Sequence, residues 1–371
     1  MEKYSRWRDA GTGIQPFLPP VPPRKDASLL QTLSSIVRYT VGPVLGVVKL
    51  ALISAAGLLY VLFVPVIGIL LLPIAPLRRI WSRIWSFVLL RLILFLSGFF
   101  YIKTETISLR RGNTKGSKKT LSSVRSGDII VANWTSYIDV LYLACLYNPV
   151  FTRVYPDAPK NKNMQRIGFW NALRLCAKMP VLTSDSKELS SLKQIAADAS
   201  KHRRGPVVVF PEGTTSNGRA LLKFAPVFRE FQPSDRNVRF HLFAFRYEQG
   251  NVSPTYTVGN QLWHFFKVCA QFSNTLTVKR LAADDVPCNP NMNSSQQAAD
   301  LASLAGNNSG GIDDYVGGQL MVCLGNMSRL RKTNLDMSDK REFLEYYYLK
   351  DKSSARKQEQ QRLLKSSSKR K

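Results

Sequence analysis

Histidine is scarce in this chain: three in 371 residues. None of His202, His241 and His264 has a carboxylate at a motif spacing, so each reads as structural rather than catalytic. The five cysteines (Cys145, Cys176, Cys269, Cys288, Cys323) are scattered and odd in number, with no CxxC pair. That spacing argues against a disulfide framework and against a metal site, and suits reduced thiols facing the cytosol. Asn-x-Ser/Thr sequons, those at Asn133, Asn251 and Asn326 among them, then carry no glycan. Acidic residues are also few, 25 Asp and Glu against 52 Lys and Arg, a net charge of +27. Such a chain attracts polyanions: nucleic acid, anionic lipid headgroups or phosphorylated metabolites. Zinc-finger spacing and a basic-aromatic RNA-binding segment are both absent, so nucleic acid is not the expected partner. No apolar core follows the first residues, and no cleaved signal is expected.

What is present divides the chain into six parts. Residues 1–39 form a polar, Pro-rich arm, with Pro16, Pro19, Pro20, Pro22 and Pro23 suggesting an extended cytosolic segment. Residues 40–102 hold two apolar stretches, about 50–77 and 84–102. The first carries no charge and exceeds the roughly 20 helical residues that span a bilayer core. Pro65 within it predicts a kink or a hairpin that enters and leaves on one side. Arg78, Arg79 and Arg83 follow as a cytosolic edge, and Trp81 and Trp85 sit where interfacial aromatics belong. The second stretch, interrupted by Arg91, is expected to be embedded or interfacial; a buried core helix is the competing reading. Residues 103–127 read as a basic connector, 128–285 as a single α/β domain and 286–311 as a low-complexity linker. Residues 312–371 carry two short helices (313–331 and 338–350, the second opened by Asp336 or Ser338) and a basic tail suited to anionic membrane.

Within the domain, short apolar runs alternate with helical patterns. Strands are expected at 128–133, 149–154, 180–183, 206–210, 240–245 and 275–281. Helices are expected up to Tyr147, over Gln165 to Lys178, to about His202 from a capping box of Asp185 and Glu188, and near Gln261–Gln271. The expected fold is α/β, a mostly parallel sheet with flanking helices, preceded by membrane-embedded apolar helices.

The sharpest local feature is Phe210-Pro211-Glu212-Gly213-Thr214-Thr215-Ser216-Asn217-Gly218, at the end of an apolar strand. Backbone amides and hydroxyls gathered there can cradle an oxyanion or a phosphate, and Gly213 lets backbone approach a ligand. A plain tight turn is the other reading of the same residues.

This segment resembles the third motif of the glycerophospholipid acyltransferases, which binds glycerol phosphate. The first motif of that family is Asn-His-x4-Asp, and here Asn133-Trp134-Thr135-Ser136-Tyr137-Ile138-Asp139 keeps the frame with tryptophan in place of histidine. RIGFWNAL (166–173) is similar to the helix before the second motif, whose arginine is missing from 179–184. FRYE (245–248) with PTYTVG (254–259) is similar to the fourth region. The opening, MEKYSRWRDAGTGIQPFLPP, looks like that of fungal lysophosphatidic acid:oleoyl-CoA acyltransferases of the endoplasmic reticulum and lipid droplets.

The resemblance implies an acyl-CoA-dependent acyltransferase that converts lysophosphatidic acid to phosphatidic acid. It acts at a membrane or lipid-droplet surface with no cofactor beyond acyl-CoA as co-substrate. It implies catalytic roles for Asp139 and Glu212. Substrate contacts are implied at Asn133, Trp134, Phe210, Pro211, Glu212, Gly213, Thr214, Thr215 and Ser216, with Arg219 and Lys223 as phosphate partners or as solvated surface cations. An indole has no basic nitrogen, so Trp134 cannot take the proton that the family histidine takes. Three readings follow: Asp139 or Glu212 as base after burial raises its pKa, the substrate's own phosphate as base, or a lipid-binding scaffold without turnover. A different lysophospholipid acceptor is a further alternative.

Overall fold

The computed structural model describes residues 4–21, 29–109, 123–159, 162–184, 188–232, 238–248, 250–287 and 314–350. Helix α1, Leu29–Val61, continues through a π-helical turn at Leu62–Val66 into the short helix α2, Ile67–Leu70. Pro65 sits in that turn, where its missing N–H favours a loosened ladder. After residues 71–74 the helix α3, Ala75–Leu96, folds back along α1. Phe63 packs on Trp85 with ring centroids 4.3 Å apart, and Trp81 Nε1 donates to the Phe63 carbonyl at 2.8 Å. The two apolar stretches are therefore the arms of one helical hairpin, with limits that differ from those expected. The first arm begins well before residue 50, and the second runs from Ala75 to Leu96 rather than to 102.

Tyr39–Leu70 is long and apolar enough to cross a membrane. The hairpin is two-faced. Ile53, Ala56, Tyr60, Leu90 and Leu94 are buried against the domain, whereas Val48, Leu52, Leu58, Ile69, Leu70, Ile80 and Ile84 are exposed. Arg91 is accommodated by donating to the Phe99 and Phe100 carbonyls at 3.0 and 2.7 Å.

The domain is built on a seven-stranded, mostly parallel sheet of order β1-β8-β7-β2-β5-β3-β4. The strands are β1 Ile102–Ile107, β2 Ile129–Ala132, β3 Val150–Val154, β4 Met164–Ile167, β5 Val207–Val209, β7 Phe240–Tyr247 and β8 Leu276–Leu281. Only the β3–β4 and β7–β8 pairs are antiparallel. A separate parallel pair joins β6, Ala220–Leu221, to β9, Arg331–Lys332.

Period-two alternation sends Ile130, Val208, Phe243 and Phe245 to one face, with the hairpin and helices α4 (Tyr137–Tyr147), α5 (Phe169–Leu175) and α7 (Gln261–Cys269). Ile129, Val131, Val207, Val209 and Leu242 face the other side, with α6 (Leu192–Lys201) and α8 (Tyr315–Ser328). Both faces being covered explains the unbroken apolar runs of the central strands.

Several expectations change. The connector contains strand β1, which pairs in parallel with β8; residues 110–122 lie outside the described part. The helix expected from Gln165 starts instead at Phe169, because Gln165–Ile167 pair with β3 at the sheet edge. Residues 180–183 form no strand. Helix α6 is capped by Ser191 with Gln194, not by Asp185 and Glu188; Asp185 lies outside the described residues.

The described part of the amino-terminal arm is packed rather than extended. Trp7 and Phe17 are buried against Leu222, Phe343 and Leu344. Of the expected linker, residues 286 and 287 lie in the described part; they follow Asp285, which accepts from Ser108 Oγ and the Leu109 amide. Residues 288–313 and the basic tail from 351 lie outside the described part. The last helix, α9 at 337–350, opens at Asp336, whose Oδ1 accepts from the Ser338 amide at 2.7 Å.

Candidate functional site

Motif one is the loop from β2 into α4. Asn133, where β2 ends, pairs its amide group with the backbone of β7: Nδ2 donates to the Phe245 carbonyl at 3.1 Å, and Oδ1 accepts from the Phe245 amide at 2.8 Å. Ser136 caps α4, and Asp139 completes the capping box as the third helical residue.

Asp139 is fully buried and its oxygens are well occupied. Oδ2 accepts from the Thr135 amide, the Thr135 hydroxyl and the Ser136 amide at 2.8, 3.0 and 2.8 Å. Oδ1 accepts from the Tyr247 hydroxyl at 2.6 Å. Burial nevertheless outweighs these donors and pushes the Asp139 pKa up to about 6.

Motif three locks onto motif one from β5. Glu212 Oε1 accepts from the Trp134 amide and Oε2 from the Leu222 amide, both at 3.2 Å. Burial raises Glu212 to about 8, so the side chain is mostly protonated at neutral pH. The Trp134 carbonyl accepts from the Ser216 amide at 3.0 Å. The Trp134 indole lies flat on Phe210 inside the core. Gly213 has φ +65, which favours glycine at this turn, and a Cβ there would stand 2.5 Å from Met337 Sδ, so that side chain would have to shift.

Two cavities flank motif one. A polar cleft of about 580 Å³ lies at the carboxyl ends of β2 and β7, where open α/β sheets commonly bind ligands. Thr135, Gly218, Arg219, Arg246, Tyr247 and Arg329 line it. An apolar groove of about 350 Å³ lies on the other side of the loop, between the hairpin and the domain. Ile53, Leu90, Ile93, Tyr137, Leu141 and Phe265 line it. Thr135 and Tyr137, two positions apart, therefore face different cavities.

Of the residues expected from sequence, Gly218's neighbour Arg219 lines the cleft, while Asn133, Trp134, Asp139, Phe210, Pro211, Glu212, Thr214, Thr215 and Ser216 are buried behind its wall. Lys223 is exposed outside the cleft, its amide bonded to the Leu335 carbonyl. Tyr247, Thr135, Arg246 and Arg329 were not singled out by sequence. The FRYE segment was the available signal for Arg246 and Tyr247, since strand alternation places Tyr247 on the face that carries α4.

The histidines are committed elsewhere. His202 pairs with Asp198 on the surface at 2.8 Å, and His241 with Asp128 at 3.0 Å, near the amino ends of β2 and β7. His264 lies between the Tyr137 hydroxyl at 2.9 Å and the Ser253 carbonyl at 3.0 Å. The carbonyl requires Nε2–H, so Nδ1 accepts from Tyr137, and burial lowers the pKa of this neutral ring.

The acyltransferase family profile matches residues 117–231, which hold both motifs. A Schizosaccharomyces pombe protein named "Putative lysophosphatidic acid:oleoyl-CoA acyltransferase" is 33% identical over 242 residues, covering 64% of this chain and 71% of that protein. This chain belongs to the acyltransferase family. No solved structure matches it. Motif one of this acyltransferase carries Trp134 where the resemblance implies a histidine. The structure places that residue in the core, not in either cavity.

Proposed function

We propose that this acyltransferase moves an acyl group, oleoyl by preference, from coenzyme A to the free hydroxyl of lysophosphatidic acid, giving phosphatidic acid. The observation that carries the reading is the position of motif one between a cleft holding three arginines and an apolar groove. A lysophosphatidic acid phosphate suits Arg219, Arg246 and Arg329, whose guanidinium groups bind phosphate oxygens in pairs. An acyl chain suits the groove beside Tyr137 and Leu141. The exposed face of the hairpin fits a membrane that supplies both lipids, with the endoplasmic reticulum and lipid droplets as the sites and the domain on the cytosolic side.

Asp139 is the proton acceptor in this scheme. The acceptor hydroxyl attacks the thioester carbonyl, a C–O bond forms and the C–S bond breaks. The hydroxyl proton passes to the Tyr247 or Thr135 oxygen while that group hands its own proton to Asp139. Coenzyme A leaves as thiolate and recovers the proton. Glu212 holds the two motifs in register.

A second reading, lipid binding without turnover, is favoured by one observation: Trp134 replaces the usual base, and both carboxylates are at most 1% exposed. Acyl transfer by the purified protein, with labelled oleoyl-CoA and a panel of lysophospholipids, decides between them. Phosphatidic acid formed by the native chain and lost in Glu212→Ala is the expected result. Acyl-CoA binding without product sinks the enzymatic reading.

A further inference from the structure

At the opposite end of the sheet lies a larger cleft, of about 1040 Å³, that the proposed reaction does not use. It opens between the start of α3 and the loops that lead into β2 and β5. The six residues from Asp128 to Asn133 separate it from motif one, about 17 Å along an extended strand.

Among the described residues that line it are seven arginines, Arg78, Arg79, Arg83, Arg125, Arg166, Arg203 and Arg204, and no Asp or Glu. Asp198 nearby neutralises part of this charge, at 2.7 Å from Arg166 and 3.3 Å from Arg204. Among the described residues, the side chains of Arg78, Arg79, Arg83, Arg125 and Arg203 form no ion pair. Like charges gathered without counter-charge repel one another, and the arrangement is relieved when an anion enters.

The cleft walls are fixed to each other. Asn148, at the carboxyl end of α4, donates from Nδ2 to Ser82 Oγ on α3 at 3.1 Å, between the turns that carry Arg79 and Arg83. Two halves thus face one another, one on the hairpin and one on the domain. On the same turns of α3, Leu77, Ile80 and Ile84 are 44%, 58% and 54% exposed.

We infer that this cleft is a second lipid site, taking the phosphate headgroup of an anionic phospholipid in the membrane that the hairpin enters. It rests on the hairpin being membrane-inserted. A bilayer covers the exposed leucine and isoleucines while its headgroups reach the arginines; a nucleic acid or a free phosphate would leave the apolar side chains in water. Occupancy would hold the hairpin against the domain, and with it the wall of the apolar groove.

The test is vesicle binding by the full chain, on phosphatidylcholine alone and on phosphatidylcholine containing phosphatidic acid. Two variants divide the cleft: Arg79→Gln with Arg83→Gln on the hairpin, and Arg125→Gln with Arg203→Asn on the domain. Asparagine tolerates the φ of +50 at position 203. Each pair is expected to weaken binding to phosphatidic acid vesicles roughly 25-fold, about fivefold per arginine, and to leave binding to neutral vesicles unchanged.

A control, Lys162→Gln with Lys178→Gln, removes the same charge from exposed positions outside the cleft. An equal loss in the control overturns the site in favour of diffuse charge. Native protein that binds both vesicles alike also overturns it, while leaving the hairpin's insertion intact. Failure to bind any vesicle removes both. A further arm titrates inorganic phosphate and coenzyme A without lipid. Binding there that the same two variants abolish reassigns the cleft to a soluble phosphate.

Discussion

The rings of Trp134 and Phe210 stack with centroids 4.7 Å apart and planes 16° from parallel. One belongs to motif one and the other to motif three, so the position of the usual base has become a packing contact that joins the two. That exchange fixes the loop, and it removes the imidazole that would otherwise pair with the carboxylate of Asp139.

Trp134→His tests both consequences. Losing the stacked indole is expected to lower stability by about 3 kcal/mol, the low end for deleting a large aromatic from a core. If the new imidazole reaches the acceptor, transfer rises on the order of 100-fold. A denaturant midpoint and a rate, measured on the same preparation, separate the two. An unchanged rate with the expected loss of stability means the position no longer faces the reacting atoms.

Tyr247→Phe should move the pH–rate profile. Burial raises Asp139 to about 6, and the Tyr247 hydroxyl opposes that rise by donating to the charged form. Removing the hydroxyl takes the pKa higher, so the ascending limb of the profile shifts to higher pH. A limb that stays in place would show that Asp139 is not the group titrating.

Glu212→Gln keeps the shape and removes the charge. The folded pKa of Glu212 is about 8 and its ordinary value is 4.5, with burial the main cause. Between those values the unfolded chain releases a proton that the folded chain retains, so this group's contribution to stability falls as pH rises through that window. Chemical denaturation across the window should show the native protein losing stability more steeply than the variant. Parallel curves would place the charge of Glu212 elsewhere than in the core.

Lys340 carries the opposite sign. Its ammonium is fully buried, donates to the Thr257 carbonyl at 2.8 Å, and is pushed down to about 7 from 10.5. Below 7 the folded state bears the whole cost of burying the charge, and stability rises between 7 and 10.5 as the unfolded chain alone holds the proton. Lys340→Met should therefore stabilise more below pH 7 than near 10.5, read from thermal melts. An equal effect at both ends refutes the burial argument.

Phe17→Ala probes the amino-terminal segment. Phe17 is 1% exposed and packs on Phe343, while Asn217 of motif three donates its amide to the Gln15 and Leu18 carbonyls at 2.8 and 2.9 Å. The loss of a buried ring is expected to cost about 3–4 kcal/mol. Protease cleavage within residues 4–21 should quicken, and the motif-three loop should exchange its amides faster.

Much of this was readable along the chain because it is local. The uncharged run, the apolar runs of β2, β5 and β7, and the motif frames at 133–139 and 210–218 depend on residues close in sequence. So did the π-helical turn at Pro65, where a missing N–H acts on its own turn. The edge strands β1 and β4 were not legible: a strand beside one neighbour carries polar residues, and IKTETI and MQRI look like loop or helix until a partner is known.

The sequence by itself determined the family frame, the absence of a motif-one imidazole and the excess of positive charge, since these are properties of residue identity and spacing. Tertiary structure alone decided where they act. It set Tyr247 against Asp139 across 108 residues, and it set the hairpin arginines across a cleft from those of the domain. It turned Trp134 into the core and wrapped an apparently free arm over motif three. Each is a pairing of distant segments, fixed by which faces the sheet and helices must bury, and no local pattern carries that information.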